Sequence, residues 1–408
     1  MPHDRLEKIL TASTAAKRVA GTSKGQEQVI SEVIPAQGGK GPRFLLADQG
    51  DKPFLRMNSN SYLGMSFRHE LIRAEEVAAR KFGTGPGAVR FISGTWSPHI
   101  DLEKRLAAFH GRTAAMIFSS AYATMMGLLP ALISEQTVVI SDELNHSCII
   151  NATALARPAE KRVYRHLDLD DLEAQLVDAS ANCRRAIIVT DGVFSMRGDH
   201  APLDKIRRLA EKYDHTYSEN ILLVVDDSHG VGAFGATGLG TEEYCGDARA
   251  DILVGTLGKA FGVNGGYLVA STAIVEYLRE NSPFYIYSNP ITAGEAAAAF
   301  KAVEILDSPQ GEALLKQLRT MTARFQKGLV DLGLETIIGE HPVVPLMIRE
   351  TERTAALVDH LLEYGVLATG LNYPVVPKGD EEIRFQMSAD HTPDDIDEAL
   401  DALRQFSL

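Results

Sequence analysis

The sequence predicts an α/β fold: a mostly parallel sheet covered by helices on both faces, followed by a smaller α+β domain. Three observations predict it. Five short runs are continuously apolar rather than alternating: Thr137-Val-Val-Ile, Ala186-Ile-Ile-Val-Thr, Ile221-Leu-Leu-Val-Val, Asp251-Ile-Leu-Val and Gly266-Tyr-Leu-Val-Ala. Such runs are strands buried on both faces, as in a parallel sheet. Helical patterns separate them, and over 203–213 Ile206, Leu209 and Ala210 form one inner face. After about residue 305 the pattern changes to helix (312–332), strand (343–348), helix (351–364), strand (382–387) and helix (393–406).

These shifts divide the chain into an N-terminal arm over 1–53, a large domain over 54–304 and a small C-terminal domain over 305–408. The arm starts amphipathic, becomes polar, and reaches a loop signal at Gly38-Gly39-Lys40-Gly41-Pro42. At 408 residues the chain exceeds one ordinary core, which fits a large and a small domain. The uncharged stretch 114–133 is long enough to cross a bilayer. It divides more simply into a buried strand from Ala114 to Phe118, a Ser119-Ser120 loop, and a helix from Tyr122 that Pro130 disrupts.

The net charge of −13 argues against nucleic-acid binding by bulk charge. Cys148, Cys183 and Cys245 are odd in number and far apart, which suits a reducing cytoplasm and forms no disulfide framework. Charged residues through the first ten positions leave no signal-peptide core. The histidines lack metal-ligand spacing, so no metal is expected.

Candidate chemistry collects at strand ends. Lys259, in Gly255-Thr-Leu-Gly-Lys-Ala-Phe-Gly262, follows an apolar strand and is flanked by small residues. A lysine so placed suits a covalent amine better than a surface charge. The preceding apolar run ends in Asp226-Asp227-Ser228-His229. An acid at one strand end and a lysine at the next is what a pyridoxal phosphate enzyme needs, the acid holding the ring nitrogen protonated. Ser119-Ser120-Ala121-Tyr122 joins a strand to a helix, where backbone N–H groups hold phosphate. His146, after Ser141-Asp142-Glu143-Leu144-Asn145, could stack on an aromatic ring. Each has an ordinary alternative: Asp226 as a helix cap, His146 and His229 as satisfied packing residues, Ser120 as a cap with no ligand. Their order at successive strand ends favours one site.

With these motifs in place, the chain resembles the α-oxoamine synthases, pyridoxal 5′-phosphate enzymes of transferase fold type I. The resemblance runs from about Phe54 to the C-terminus. It rests on Asn60-Ser-Tyr62-Leu-Gly64, Val89-Arg-Phe-Ile-Ser-Gly-Thr95, Ser141-Asp-Glu-Leu-Asn145-His146, Asp191-Gly-Val-Phe-Ser195-Met, Val225-Asp226-Asp-Ser-His229-Gly and Thr256-Leu-Gly-Lys259. Tyr373-Pro-Val-Val-Pro-Lys-Gly379, Ile383-Arg384-Phe-Gln-Met-Ser-Ala389 and His391-Thr-Pro393 look most like 2-amino-3-ketobutyrate CoA ligase, or glycine C-acetyltransferase.

The resemblance implies transfer of an acyl group from acyl-CoA to an amino acid, with glycine and acetyl-CoA the best match, in a cytoplasmic homodimer with shared sites. It makes Lys259 the covalent amine and proton carrier. Asp226 pairs with the pyridine nitrogen, His229 with the ring oxygen, and His146 covers the ring. Ser120, Ala121, Tyr122 and Thr256 bind phosphate, Ser195 contacts the ring, and Ser288 and Asn289 reach the phosphate of the neighbouring subunit. Asn60 and Arg384 hold the substrate carboxylate; an arginine in a strand otherwise sits at an edge facing solvent. No nucleic acid or membrane is implied as a partner.

Four departures bear on substrate. Arg197 replaces the acid usual in the family. The lysine loop continues Phe261-Gly-Val-Asn-Gly265, nearer the longer-acyl members. The arm matches the ligase poorly. Trp96 sits where substrate should enter, either as a packed aromatic or as a wall limiting substrate size. They keep open another amino acid (alanine, serine, glutamate), a longer acyl chain, decarboxylation or its absence, an aminotransferase or β-elimination enzyme on this scaffold, and a non-catalytic homologue.

Overall fold

The computed structural model describes residues 3–19, 23, 27–373 and 375–406; Met1 of the arm and Pro374 of the Tyr373 motif lie outside them. Contacts divide the chain into two compact units: 60–320 with 339–342, and 1–59 with 321–338 and 343–408. The division falls inside the helix Pro309–Asp331.

The larger unit is built on seven strands: β1 (Ala114–Phe118), β2 (Thr137–Asp142), β3 (Glu160–Tyr164), β4 (Arg185–Asp191), β5 (Ile221–Asp226), β6 (Ile252–Thr256) and β7 (Gly266–Ala270). Their order is β1-β7-β6-β5-β4-β2-β3. Strands β6, β5, β4, β2 and β3 pair in parallel, while β7 is antiparallel to both β1 and β6. The sheet is therefore mixed at one edge, as the apolar run of β7 could not reveal. Five of the seven strands are the runs read from sequence, and β1 is the strand expected in the uncharged stretch. β3, Glu-Lys-Arg-Val-Tyr, is charged and lies at an edge, so it gave no apolar signal.

One side of the sheet packs Val139, Val189, Val224, Val254 and Leu268 against Met125, Leu128 and Leu129. The last three come from the helix Ala121–Leu132. That helix is not ended by Pro130, which gives up its own backbone bond while the helix runs on to Leu132. Ile133 N–H still reaches Leu129 O at 3.0 Å. Among the described residues, no helix is long and apolar enough to cross a membrane. Residues 305–320 belong to this unit, and Arg319 Nη2 donates to Ala236 O at 2.9 Å.

In the smaller unit, β8 (Val343–Met347), β9 (Thr369–Leu371) and β10 (Glu382–Gln386) form an antiparallel sheet ordered β8-β10-β9. The helix Pro393–Arg404 begins with Thr392 and Asp395 in a reciprocal capping box, after which Pro393 suits the first turn. Arg43 Nη2 meets Asp395 Oδ1 at 2.7 Å, tying the arm to that helix. Leu55–Arg56 pairs in parallel with Val366–Leu367, which is why 54–59 goes with this unit. In the arm, Gly38 and Gly39 have φ of 61° and 82° and close a two-residue turn between Gln37 and Lys40. Both central positions of such a turn need positive φ.

Candidate active site

Six strands running the same way, all but β7, bring the predicted residues to their carboxyl ends, the usual ligand edge of an open α/β sheet. Asp226 ends β5, and Asp191 stands beside it at the end of β4. Thr256 ends β6 and Lys259 lies three residues beyond it, half-buried. Ser120 caps the helix after β1, its Oγ accepting from Ala123 N–H at 3.0 Å.

Gly266 joins two of these positions. It pairs with Phe118 of β1 on one side and with Thr256 of β6 on the other. A Cβ there would lie 2.2 Å from Ala121 N, so only glycine lets β7 pass the helix N-terminus. Ala121 and Tyr122 open that helix, where N–H groups and the helix dipole favour an anion. The Tyr122 side chain itself is exposed, and its hydroxyl accepts from Asn151 Nδ2 at 2.7 Å.

Asp226 is buried and held from two sides. Ser228 Oγ donates to Oδ1 at 2.6 Å, and Cys148 Sγ to Oδ2 at 3.3 Å. Burial and the neighbouring Asp226 push the Asp191 carboxyl well above the usual carboxylate range. Asp191 Oδ2 accepts the His146 N–H at 3.0 Å, and its own N–H donates to Asn145 Oδ1 at 2.8 Å. Asn145 Nδ2 reaches Val189 O at 2.8 Å. The loop before His146 is thereby bolted to β4.

His146 caps the helix Ser147–Ala156, its Nδ1 accepting from Cys148 N–H at 3.2 Å. That bond leaves the ring proton on Nε2 in the neutral form. The residue is accessible, yet its pKa lies below the ordinary value. Dehydration of the ring is the main cause; Asp226 opposes it and the Lys259 charge adds to it.

His229 is buried, with Nδ1 2.7 Å from the Tyr62 hydroxyl. The same hydroxyl lies 3.4 Å from Asn60 Oδ1, which links Asn60 to this cluster. His341 Nε2 donates to His229 O at 2.9 Å, and burial pushes its pKa down to about 4. The Lys259 charge contributes to the shifts of His146, Asp191 and His341. Ser195, half-buried, lies in the loop that follows β4.

Two predicted residues are not drawn into this cluster. Ser288 and Asn289 lie on the loop between the helices Pro283–Ile286 and Ala293–Leu306, Asn289 exposed. Arg384 belongs to the smaller unit. It is half-buried on the central strand, opposite Pro345 and Thr369, rather than on an edge. Trp96 packs on Phe82 with ring centres 5.7 Å apart. Arg197 pairs with Asp199 at 2.9 Å.

Asp191, Tyr62, Asn145 and Cys148 act in the site without having been assigned roles. Asp191 had a signal, an acid ending an apolar run as Asp226 does. His341 had none, being far along the chain from its partner.

A carboxylate and an amine at adjacent strand ends, with a helix N-terminus two strands away across Gly266, fit the pyridine nitrogen, aldehyde and phosphate of pyridoxal 5′-phosphate. Fold and site together define a fold-type-I pyridoxal phosphate enzyme. The chain belongs to the aminotransferase class I and II family, whose model matches residues 52–403, and within it to the α-oxoamine synthases.

It is 42% identical to 8-amino-7-oxononanoate synthase 1 of Bacillus velezensis over 86% of this chain and 87% of that one. It is 37% identical to the mitochondrial 2-amino-3-ketobutyrate coenzyme A ligase of Bos taurus over 98% and 91%. A solved serine palmitoyltransferase from S. paucimobilis, bound to a pyridoxal phosphate–myriocin adduct, superposes with TM-score 0.84. The two are 25% identical over 99% of this chain and 96% of that one.

Proposed function

We propose that this enzyme joins glycine to the acyl group of acetyl-CoA, releasing free CoA. The observation that carries the pyridoxal phosphate chemistry is the pair formed by Asp226 at the end of β5 and Lys259 just past the end of β6, and the likeness to α-oxoamine synthases supports acyl transfer. Support for the substrates is the 37% identity to the ligase over 98% of this chain, together with the Tyr373 and Ile383 motifs.

Pyridoxal phosphate, when bound, supplies an electron sink for the pair released at the amino acid's α-carbon. Asp226, kept in place by Ser228 and Cys148, holds a proton on the ring nitrogen. Lys259 Nζ would hold the aldehyde carbon of the bound cofactor, and the same amine is the base available to take the α-proton of the amino acid. His146 covers the ring, and its Nε2–H serves as donor to a developing carbonyl oxygen. His229 orients the ring oxygen while Tyr62 fixes its imidazole. Ser195 contacts the ring. The N–H groups of Ala121 and Tyr122, together with Ser120 and Thr256, receive the phosphate. Ser288 and Asn289 serve the phosphate of a second copy, which makes the homodimer the working form. Asn60 and Arg384 bind the substrate carboxylate, for which a planar guanidinium is well shaped. The cytoplasm is the proposed compartment, in keeping with three unpaired thiols.

A second reading is favoured by the 42% identical relative. The product in that protein's name ends in a carboxylate, so this reading takes alanine and a longer acyl chain with a terminal acid. A matrix of amino acids against acyl-CoAs, scored by thiol release and product mass, separates the two. Release of CoA only with glycine and acetyl-CoA supports the first. Release with alanine and a long acyl-CoA replaces it by the second. No thiol release with any pair contradicts acyl transfer and leaves an aminotransferase or elimination enzyme.

A further inference from the structure

Beneath the site, two loops converge on one histidine. The first begins at Asp142, the last residue of β2, and ends at His146. The second follows β4 and folds back through a bridge between Val193 and His200, with Ser195 and Arg197 near its tip. His166 comes from a third place, the turn after β3. Its Nδ1 lies 2.9 Å from Asp142 Oδ1 and its Nε2 lies 3.2 Å from Asp199 Oδ2. Phe194 meets the ring edge-on, centres 4.4 Å apart.

We propose that His166 is a positioning residue of the cofactor site, a doubly donating imidazole that clamps the loop leading to His146 against the loop carrying Ser195. Carboxylates are acceptors only, so both ring nitrogens must carry hydrogen and the ring is an imidazolium. Burial works against that charge. The bonds to Asp142 and Asp199 outweigh it and raise the pKa to about 9. At neutral pH the clamp is therefore closed.

The surroundings are built to keep it so. Asp142 is buried and also accepts Leu144 N–H at 2.9 Å and Leu167 N–H at 3.0 Å, so its carboxylate is fixed before His166 arrives. The backbone N–H of His166 donates to Glu143 Oε1 at 2.8 Å, holding the turn to the first loop a second time. On the far side, Asp199 is pulled below the ordinary range. Burial raises it, but His166 and Arg197 more than compensate. Arg197 Nε lies 2.9 Å from the same Asp199 oxygen that faces His166. The cation at 197 thus acts on this clamp and not on bulk solvent alone.

The inference deepens the cofactor reading, since it matters to catalysis only if His146 and Ser195 flank the ring. His166→Phe keeps the ring's bulk and removes both donors. Arg165→Gln is the control, because Arg165 is exposed and its side chain pairs with Asp168 and Asp171 rather than with Asp142 or Asp199. Two quantities are read: the dissociation constant for pyridoxal phosphate by titration of the dialysed protein, and amide hydrogen exchange over 143–147 and 192–199. His166→Phe should weaken the cofactor about tenfold or more, the range in which outer partners of a bound group act, with faster exchange in both segments and β5 unchanged. Arg165→Gln should alter neither.

Cofactor affinity within about twofold of wild type, with both segments still protected, overturns the clamp. Should His166→Phe not fold, Asp199→Asn opens one arm only. It should accelerate exchange over 192–199 alone and weaken the cofactor, and unchanged values again overturn the proposal. Wild-type protein that takes up no pyridoxal phosphate defeats the cofactor reading instead, and the exchange comparison then decides the clamp by itself.

Discussion

Asp191 and Asp226 stand in register at the carboxyl ends of two adjacent parallel strands, and both are buried. Two like charges in that position cannot both be ionised cheaply. The structure resolves the conflict by raising Asp191, through burial first and the Asp226 charge second. Asp191, biased toward its protonated form, braces the His146 loop, and Asp226 is the acid proposed to serve the ring nitrogen.

Substituting the two should therefore have unequal effects. Asp191→Asn removes the acid but keeps an oxygen that can accept the His146 N–H. It should leave kcat/KM within about threefold of wild type, whereas Asp226→Asn should lower it by roughly 100-fold or more. Steady-state kinetics on both variants checks this, and equal losses would reverse the division of roles.

Cys148 donates its thiol hydrogen to Asp226, and burial together with that carboxylate and Asp191 pushes the thiol pKa far upward. A thiol so placed is inert toward alkylation. Native protein treated with iodoacetamide at mildly alkaline pH should carry no label at Cys148, and unfolded protein should carry it. Cys148→Ser should keep activity. Cys148→Ala should cost about 1.5–3 kcal/mol of support for the charged partner, read as a fall in cofactor affinity.

Leu167 adopts φ of 57°, a left-handed conformation that a side chain of this kind rarely takes. Its N–H must point at Asp142 Oδ2, which explains why the strain is kept. Leu167→Gly should relieve the strain and raise stability by about 0.5–1 kcal/mol, measured by denaturant midpoints. A loss of stability would show that the leucine side chain contributes more than its backbone costs.

His341 and His110 are buried neutral, with pKa values pushed down to about 4 and about 3. Their unfolded values lie near ~6.5. Unfolded chain therefore binds protons that the folded chain refuses, and stability falls as pH drops from there through about 4. His166 acts at the other end. Its contribution is complete below its unfolded value and is lost as pH rises through about 9. Thermal midpoints of His341→Gln should decline less between neutral pH and about 4 than those of wild type.

Much of this was legible because strands and site share one signal. An apolar run that ends in a polar residue marks both a buried strand and the edge where ligands bind, so Asp226, Thr256 and His146 were found along with the sheet. What was not legible is relational. That β7 runs antiparallel depends on pairing, not on the composition of Gly266-Tyr-Leu-Val-Ala. Tyr62 and His341 reach His229 through distances along the chain that no local pattern encodes. His166 reads as an ordinary polar turn residue until its two carboxylate partners arrive from separate loops. Pro130 misled because the packed helix around it continues to Leu132 despite the bond the proline gives up.

The most direct measurement is to incubate the protein with pyridoxal phosphate, reduce it with borohydride, digest it and locate the modified lysine by mass spectrometry. The pyridoxyl group should be found on the peptide containing Lys259, and Lys259→Ala should take up none there. Modification of other lysines with Lys259 untouched would contradict the site described here.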